Sequence, residues 1–448
     1  MQTFLLLTMM FSVFAGIAIG IPVMMVLLGI PILFGLFGAV FGVFDTVLFS
    51  AIPTRIFGIL GNQILFAVPL FILLGKLVEH TGLAERALQS ITTLFSRSGK
   101  TLSLGVIGIS VAIACSSGVV GATITMLAAI ALPSMLKYQL GERFSAGLIT
   151  ASGSLGQIIP PSIVLILLSD QVSGAHIANQ LEKGNFSPEP ISVGHLFAGA
   201  LVPGFCLALA YAIYVVFNLR NQPETSSVDE TLPSEMTVDW FGLIAIGSLL
   251  LVPVSILLGV ATATEASAIG VLVVAILAVI GGRLSDLRLV LTQTVELTGV
   301  IFGIIVSASV FALVLRGFNG DELVYALFAA LPSDGMLALM LVMAVVFVLG
   351  FLIEFIEITY IVVPITAPVL FSLGIDPIWF AILMAVNLQI SFLTPPMGIS
   401  LFYYKSATNI SSVDLYKSVI PYIAIQLFFL AILFFYPPLA TWLPSILI

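Results

Sequence analysis

The chain is expected to be an all-α integral membrane protein, with about eleven transmembrane helices and two re-entrant hairpins arranged as two repeats. Three observations predict that class. Hydrophobic residues make up 60% of the 448 positions and charged residues 8%, with a mean hydropathy of +1.24. An ordinary soluble domain carries about 25% charged residues, so this chain has too little charge to face water on all sides. Residues 58–75 and 240–264 contain no Asp, Glu, Lys or Arg, and about 20 apolar residues suffice for a helix to cross the hydrocarbon core. Each half of the chain also carries a Pro-Pro pair in the middle of an apolar stretch.

From the N-terminus, spans are expected near residues 2–20, 22–44, 58–78, 102–132, 195–217, 240–258, 262–281, 297–316, 335–353, 359–373 and 418–440. The first has no positively charged start, since Arg55 is the first basic residue, and it runs straight into the second. It reads as a span rather than a cleaved signal. The stretches 144–168 and 377–404, each centred on Pro-Pro, read as hairpins. Residues 80–100 and 282–296 have mixed charges. In the first, Leu83, Ala87, Ser90 and Leu94 fall roughly on one face, as in a helix lying along the membrane surface, with a solvated loop as the alternative. Residues 169–193 form a hydrophilic insertion. Residues 218–239 form an acidic linker, with Glu224, Asp229, Glu230, Glu235 and Asp239, that splits the chain into halves. Basic residues are mixed with acidic ones throughout, so they set no orientation.

Composition excludes several functions. A net charge of −8 without a basic stripe argues against nucleic acid. Cys115 and Cys206 lie in apolar runs and suggest no disulfide framework. His80, His176 and His195 are scattered, and neither HExxH nor CxxC occurs, so no catalytic metal or nucleophile constellation points to an enzyme. No GxxxxGK[ST] is present for ATP binding.

The two halves match in spacing. ALPSM precedes Pro160-Pro161 as TAPVL precedes Pro395-Pro396, and both Pro133 to Pro160 and Pro368 to Pro395 span 27 residues. The offset between halves is 235 for each pair. Proline removes a backbone donor and disrupts its helix. Inside a bilayer the freed groups must be buried in protein or line a cavity. Paired broken helices are how secondary transporters hold ions on loose carbonyls and anionic groups on half-helix N-termini. A mere structural kink is the alternative for either pair alone.

These segments resemble the large membrane subunit of the tripartite ATP-independent periplasmic (TRAP) transporters, over nearly the whole chain. The residues that carry the resemblance are QILFAVPLFILLGKLVEHTGL at 63–83, GQIIPPSI at 156–163, GVATATEASAIGVL at 259–272, FLTPPMGISLF at 392–402 and YPPLATWLP at 436–444. The resemblance implies an elevator mechanism, in which a mobile transport domain moves against a scaffold, in a bacterial inner membrane. It implies Na⁺-coupled import of a carboxylate-bearing solute, no further cofactor, a small four-helix membrane subunit as a separate chain, and a periplasmic substrate-binding protein. It divides the chain into scaffold helices and an amphipathic arm at 1–100, a first transport region at 101–217, the linker at 218–239, scaffold helices at 240–300, a second transport region at 301–417 and a C-terminal helix at 418–448. The chain departs from the family at Glu354, where Asp is usual, at Ala263, where Pro is common, and at Gln157. The insertion 169–193 is long for the family. A stand-alone Na⁺/anion symporter or ion antiporter of similar architecture, and a channel, are the alternatives.

Within this frame the solute is expected near Ser116, Ser117, Ser154, Pro160, Ser162, Asn387, Thr394 and Pro395. Na⁺ is expected near Gly153, Gly156, Glu354, Thr359, Thr394, Pro395 and Gly398. Intramembrane carboxylates are functional candidates by default, and hydroxyl and carbonyl oxygens suit a hard cation. Each has a plainer reading. Ser116 and Ser117 suit close helix packing, Asn387 suits interhelical bonding, and Glu354 or Glu357 suits a helix break at the interface. Thr262 or Thr264 would cap a helix with Glu265 near its positive end. Arg316 and Lys405 would snorkel to the interface, with attraction of a carboxylate as the alternative for Lys405. Moving one negative charge inward against 100 mV costs roughly 2.3 kcal/mol, so an anion importer without ATP needs coupled cations.

Overall fold

The computed structural model describes residues 1–83, 85–86, 98–117, 120–220, 240–281, 286–329, 331, 335–351, 353–396 and 398–447. Every regular element among them is helical. The first half contains α1 (Gln2–Ala18), α2 (Val23–Val40), α3 (Ala51–Leu60), α4 (Ala67–His80), α5 (Gly99–Ser117), α6 (Val120–Lys137), α7 (Glu142–Ser154), α8 (Ile163–Glu182) and α9 (Val193–Asn218). The second half contains α10 (Trp240–Leu257), α11 (Ala263–Ile280), α12 (Leu287–Gly317), α13 (Gly320–Ala329), α14 (Met336–Leu349), α15 (Phe355–Ser372), α16 (Pro377–Leu393), α17 (Ile399–Ala407) and α18 (Ser412–Phe435). Among the described residues, α2, α9, α11, α12, α15 and α18 are long and apolar enough to cross a bilayer, and shorter apolar helices accompany them.

Local chemistry sets the ends of these helices. Thr262 and Glu265 form a reciprocal cap at α11: the Thr262 hydroxyl accepts from the Glu265 amide at 3.3 Å and the Glu265 carboxylate accepts from the Thr262 amide at 2.8 Å. Asp376 accepts from the Trp379 amide at 2.8 Å and Pro377 opens α16, so both the cap and the first position suit a helix start. The span expected at 58–78 is interrupted because Asn62 accepts the Ile64 amide at 2.9 Å, an Asx turn that separates α3 from α4.

The 235-residue offset recurs in the helix boundaries. α6 and α15 start 235 residues apart and end 235 apart, and α7 and α16 start at the same offset. Pro133 and Pro368 fall at the same place within α6 and α15. Both Pro-Pro bonds, Pro160-Pro161 and Pro395-Pro396, are cis. The repeats are interleaved. α8 packs on α15 as α17 packs on α6, and α7 packs on α18 as α16 packs on α9. Each hairpin is therefore walled by both repeats. A second group forms from α2, α4, α11 and α12, with α1 on α2 and α3 on α12. It meets the interleaved repeats where α12 packs on α15, and where α4 and α10 pack on α5.

Three more expectations change. The span 102–132 is two helices, α5 and α6, with the small residues Ser116 and Ser117 closing the first. The insertion at 169–193 is helical to Glu182, because it lies along α15: Asn179 donates to the Pro368 carbonyl at 3.4 Å and Lys183 to the Phe371 carbonyl at 3.2 Å. The mixed segment 282–296 and the span 297–316 are one helix from Leu287 onward. Its polar half is anchored on α4 by a 2.9 Å bond between His80 Nε2 and Gln293 Oε1. The linker 218–239 from residue 221, and most of the arm 80–100, lie outside the described residues.

Candidate functional site

The first hairpin is built for close approach. Every residue of α7 from Ser145 to Ser154 is buried. Its small residues let neighbours press in: a Cβ on Gly147 would stand 2.2 Å from the Ser418 carbonyl oxygen, and one on Gly153 would stand 2.5 Å from Ile124 Cγ1. The hydroxyls of Thr150, Ser152 and Ser154 donate to Ala146, Leu148 and Ala151 carbonyls at 2.6, 2.6 and 2.8 Å, so helix hydroxyls are satisfied locally. A 3₁₀ turn, Leu155–Gln157, which contains Gly156, then leads to Pro160-Pro161. Ser162 precedes α8 and donates to the Gln157 carbonyl at 2.5 Å, closing the tip. The whole tip is buried, and the 3₁₀ turn packs against α5 and α16. An Arg143–Asp414 ion pair fastens the base of α7 to the start of α18.

The second hairpin has the same plan and a different environment. Thr394 ends α16 and donates to the Ile390 carbonyl at 2.6 Å. Pro395 is half-buried and Pro396 exposed, so this tip is open where the first is closed. Gly398 leads into α17, where a Cβ would stand 2.8 Å from the Phe392 carbonyl oxygen. Beside it lies a cavity of about 230 Å³, lined by Gly350, Glu354, Ser391, Phe392 and Phe402 among others. The cavity joins the break between α14 and α15 to the second hairpin.

The candidate residues distribute as follows. Ser154, Pro160, Ser162, Gly153 and Gly156 gather at the buried first tip, and Thr394, Pro395 and Gly398 at the open second tip. Glu354 lies at the start of α15, exposed at the rim of the cavity. Three residues on from it, Glu357 is buried at 3% exposure, and its Oε2 has no partner among the described residues. The Thr359 hydroxyl is turned back to the Phe355 carbonyl at 2.7 Å. Asn387 donates to the Met343 carbonyl at 2.7 Å, tying α16 to α14, while its Oδ1 is unpaired. Ser116 and Ser117 end α5, and their side chains lie outside the described residues.

Buried polar atoms without a protein partner concentrate around the hairpins. They include Gln157 Oε1, Glu357 Oε2, Asn387 Oδ1, both amide atoms of Gln389 and the Ser400 hydroxyl. Native proteins rarely leave such groups unpaired, so this interior is suited to ions, water or a polar solute. Sequence reasoning passed over Gln389 and Ser400, although a Gln in the apolar run NLQISF was the signal available. It also missed a polar cluster on α8: the Asp170 carboxylate accepts from Asn62 Nδ2 at 2.5 Å, Gln171 Nε2 at 2.7 Å and the Tyr360 hydroxyl at 3.1 Å.

Interleaved repeats with paired broken helices define a multi-pass membrane transport protein. The family model for the tripartite ATP-independent periplasmic transporter, DctM component, matches residues 10–439, and the chain belongs to that family. It is thus a multi-pass protein of the bacterial inner membrane. It is 27% identical to the C4-dicarboxylate TRAP transporter large permease protein DctM of Vibrio cholerae, over 94% of this chain and 96% of that one. It is also 27% identical to the sialic acid TRAP transporter large permease protein SiaM of Vibrio cholerae, over 97% and 96%. The isethionate TRAP transporter permease protein DctMQ of Oleidesulfovibrio alaskensis matches at 27% over 83% of this chain and 57% of its own length. Among solved structures, the YdaH transporter of Alcanivorax borkumensis shares the fold, with a TM-score of 0.60 and 14% identity over 88% of this chain and 90% of that one.

Proposed function

We propose that this chain is the solute-translocating subunit of a Na⁺-coupled importer for a small organic acid, loaded by a periplasmic binding protein and working beside a small membrane subunit. The observation that carries the reading is the set of unpaired buried polar atoms on and beside two hairpins set 235 residues apart. Four of those atoms, Gln157 Oε1, Glu357 Oε2, Asn387 Oδ1 and Gln389 Oε1, are oxygens of the kind a hard cation prefers. In this reading, Glu357 joins Glu354, Thr359 and the tip residues Gly153, Gly156, Thr394, Pro395 and Gly398 as the groups around Na⁺. Ser154, Pro160, Ser162, Asn387, Thr394 and Pro395 face the solute, with Ser116 and Ser117 at the end of α5. The relatives' names cover a C4-dicarboxylate, sialic acid and isethionate, all organic anions. The isethionate relative is named DctMQ and extends well beyond the region that this chain matches. The interleaved helices α5–α9 and α14–α18 move as the carrier against α1–α4 and α10–α13, a division that puts residues 301–329 with the scaffold and α18 with the carrier, unlike the one the resemblance implies.

The test is uptake of a labelled organic acid into proteoliposomes that hold this chain and its small subunit, with loaded binding protein outside. Accumulation is expected only with both an inward Na⁺ gradient and the binding protein, and Glu357→Gln should flatten the Na⁺ dependence more than Glu354→Gln. Accumulation driven equally well in K⁺ medium would remove Na⁺ coupling. Equal uptake without the binding protein would make the chain a stand-alone carrier.

A further inference from the structure

A second cavity, of about 400 Å³, opens between the two helix groups and shares no lining residue with the cavity beside Glu354. Its wall includes Arg55 from α3, Arg316 from α12, and Asp170 and Gln171 from α8. It shares Arg316, Pro364 and Pro368 with a larger crevice of about 700 Å³ that runs on past Lys183 and Glu322. The two cavities adjoin between α8 and α15 on one side and α3, α12 and α13 on the other.

The charges lining these cavities are not balanced in place. The Asp170 carboxylate already accepts from Asn62, Gln171 and Tyr360. It therefore stands satisfied by neutral donors. Arg316 is paired at 3.2 Å with Asp321, which lines the outer crevice. Arg55 is half-buried and has no carboxylate within ion-pair distance among the described residues. Arg55 and Arg316 line the same cavity from two helices, so their like charges oppose each other there. Two like charges held on facing helices, one of them uncompensated, form an incomplete arrangement. A guanidinium offers a planar fork of donors that matches a carboxylate with two parallel bonds.

We propose that Arg55, with Arg316, binds the carboxylate of a small organic acid in the cavity between α3, α12 and α8. This is a staging site at the mouth of the carrier, separate from the hairpin tips. One carboxylate rests on the arginines, and the remainder of the solute lies along the cavity toward α8. The fork gives the carrier a place to hold an anion before any Na⁺ ligand is engaged. Its role in transport rests on the proposed function, but the binding itself does not.

The experiment labels arginines of the purified full-length chain with phenylglyoxal in Na⁺-free choline buffer, with succinate as the carboxylate probe, and reads adducts by peptide mass spectrometry. Succinate should slow modification of Arg55 and Arg316 at least fivefold, with one shared half-protection concentration. Succinamide, which lacks the charge, should give no protection, and Arg143, which does not line this cavity, should be unaffected. In Arg55→Gln the concentration that half-protects Arg316 should rise about tenfold, as loss of a charge-assisted pair implies. Unchanged labelling of Arg55 in the wild-type protein would overturn the proposal without any variant needing to fold. So would equal protection by sulfate, which would make the site one for small anions in general. Protection that persists while Na⁺-coupled uptake fails would leave this site standing and sink the transport reading alone.

Discussion

The Gly147→Ala substitution tests the close contact on which the first hairpin depends. The added Cβ would stand 2.2 Å from the Ser418 carbonyl oxygen and 2.9 Å from the Ser418 carbonyl carbon. Ordinary contacts lie near about 3.5 Å, so α7 and α18 would have to part by roughly 1 Å. The obstacle is backbone, and no side-chain rotation clears it. Overpacking of this kind costs about 1–3 kcal/mol, a factor of roughly 5 to 150 in the folded population. Gly108→Ala is the matched control, since nothing lies within 4 Å of its Cβ and the site is exposed on α5. There, replacing Gly within a helix should stabilise by about 0.5–1 kcal/mol. The assay is the fraction of detergent-solubilised protein that stays monodisperse by size exclusion after graded heating. The two variants should shift the midpoint in opposite directions. A Gly147→Ala midpoint equal to wild type would refute the claimed interface between α7 and α18.

Two further outcomes are expected. A Cβ on Gly350 would meet Ser391 Oγ at 2.1 Å, so Gly350→Ala should lower the thermal midpoint and Ser391→Gly should restore most of the loss, with a coupling above about 0.5 kcal/mol in a double-mutant cycle. Thr262→Ala removes the cap of α11 and should cost about 1 kcal/mol in the same heating assay, with uptake per folded molecule unchanged.

The repeat was legible because proline acts locally. Pro133, Pro160, Pro368 and Pro395 must break or kink whatever helix they occupy, so their spacing could be read before any fold was known, and the helix ends follow the same offset. The cap at Thr262 and Glu265 was legible for the same reason. The helicity of residues 169–182 was not, because Asn179 and the following Lys183 are satisfied by carbonyls on α15, nearly two hundred positions away. Asp170 escaped notice for a related reason. A single acid after an apolar run looks like the end of a span until Asn62 and Tyr360 are brought to it. Glu357 could be singled out from Glu354 only by burial, which depends on how α15 turns its faces after the break.

The interleaving of the repeats has a consequence for biosynthesis. α8 is complete at Glu182, but the helix it lies along is not finished until Ser372. At ribosomal speeds of about 5–20 residues per second, the first hairpin waits roughly ten to forty seconds for its partner. During that interval Asn179 and Lys183 have no α15 carbonyls to meet, and the buried face of α8 must be sheltered by lipid, the insertion machinery or a chaperone. Release of the finished chain, rather than insertion of its first half, is then the moment at which the hairpins can close.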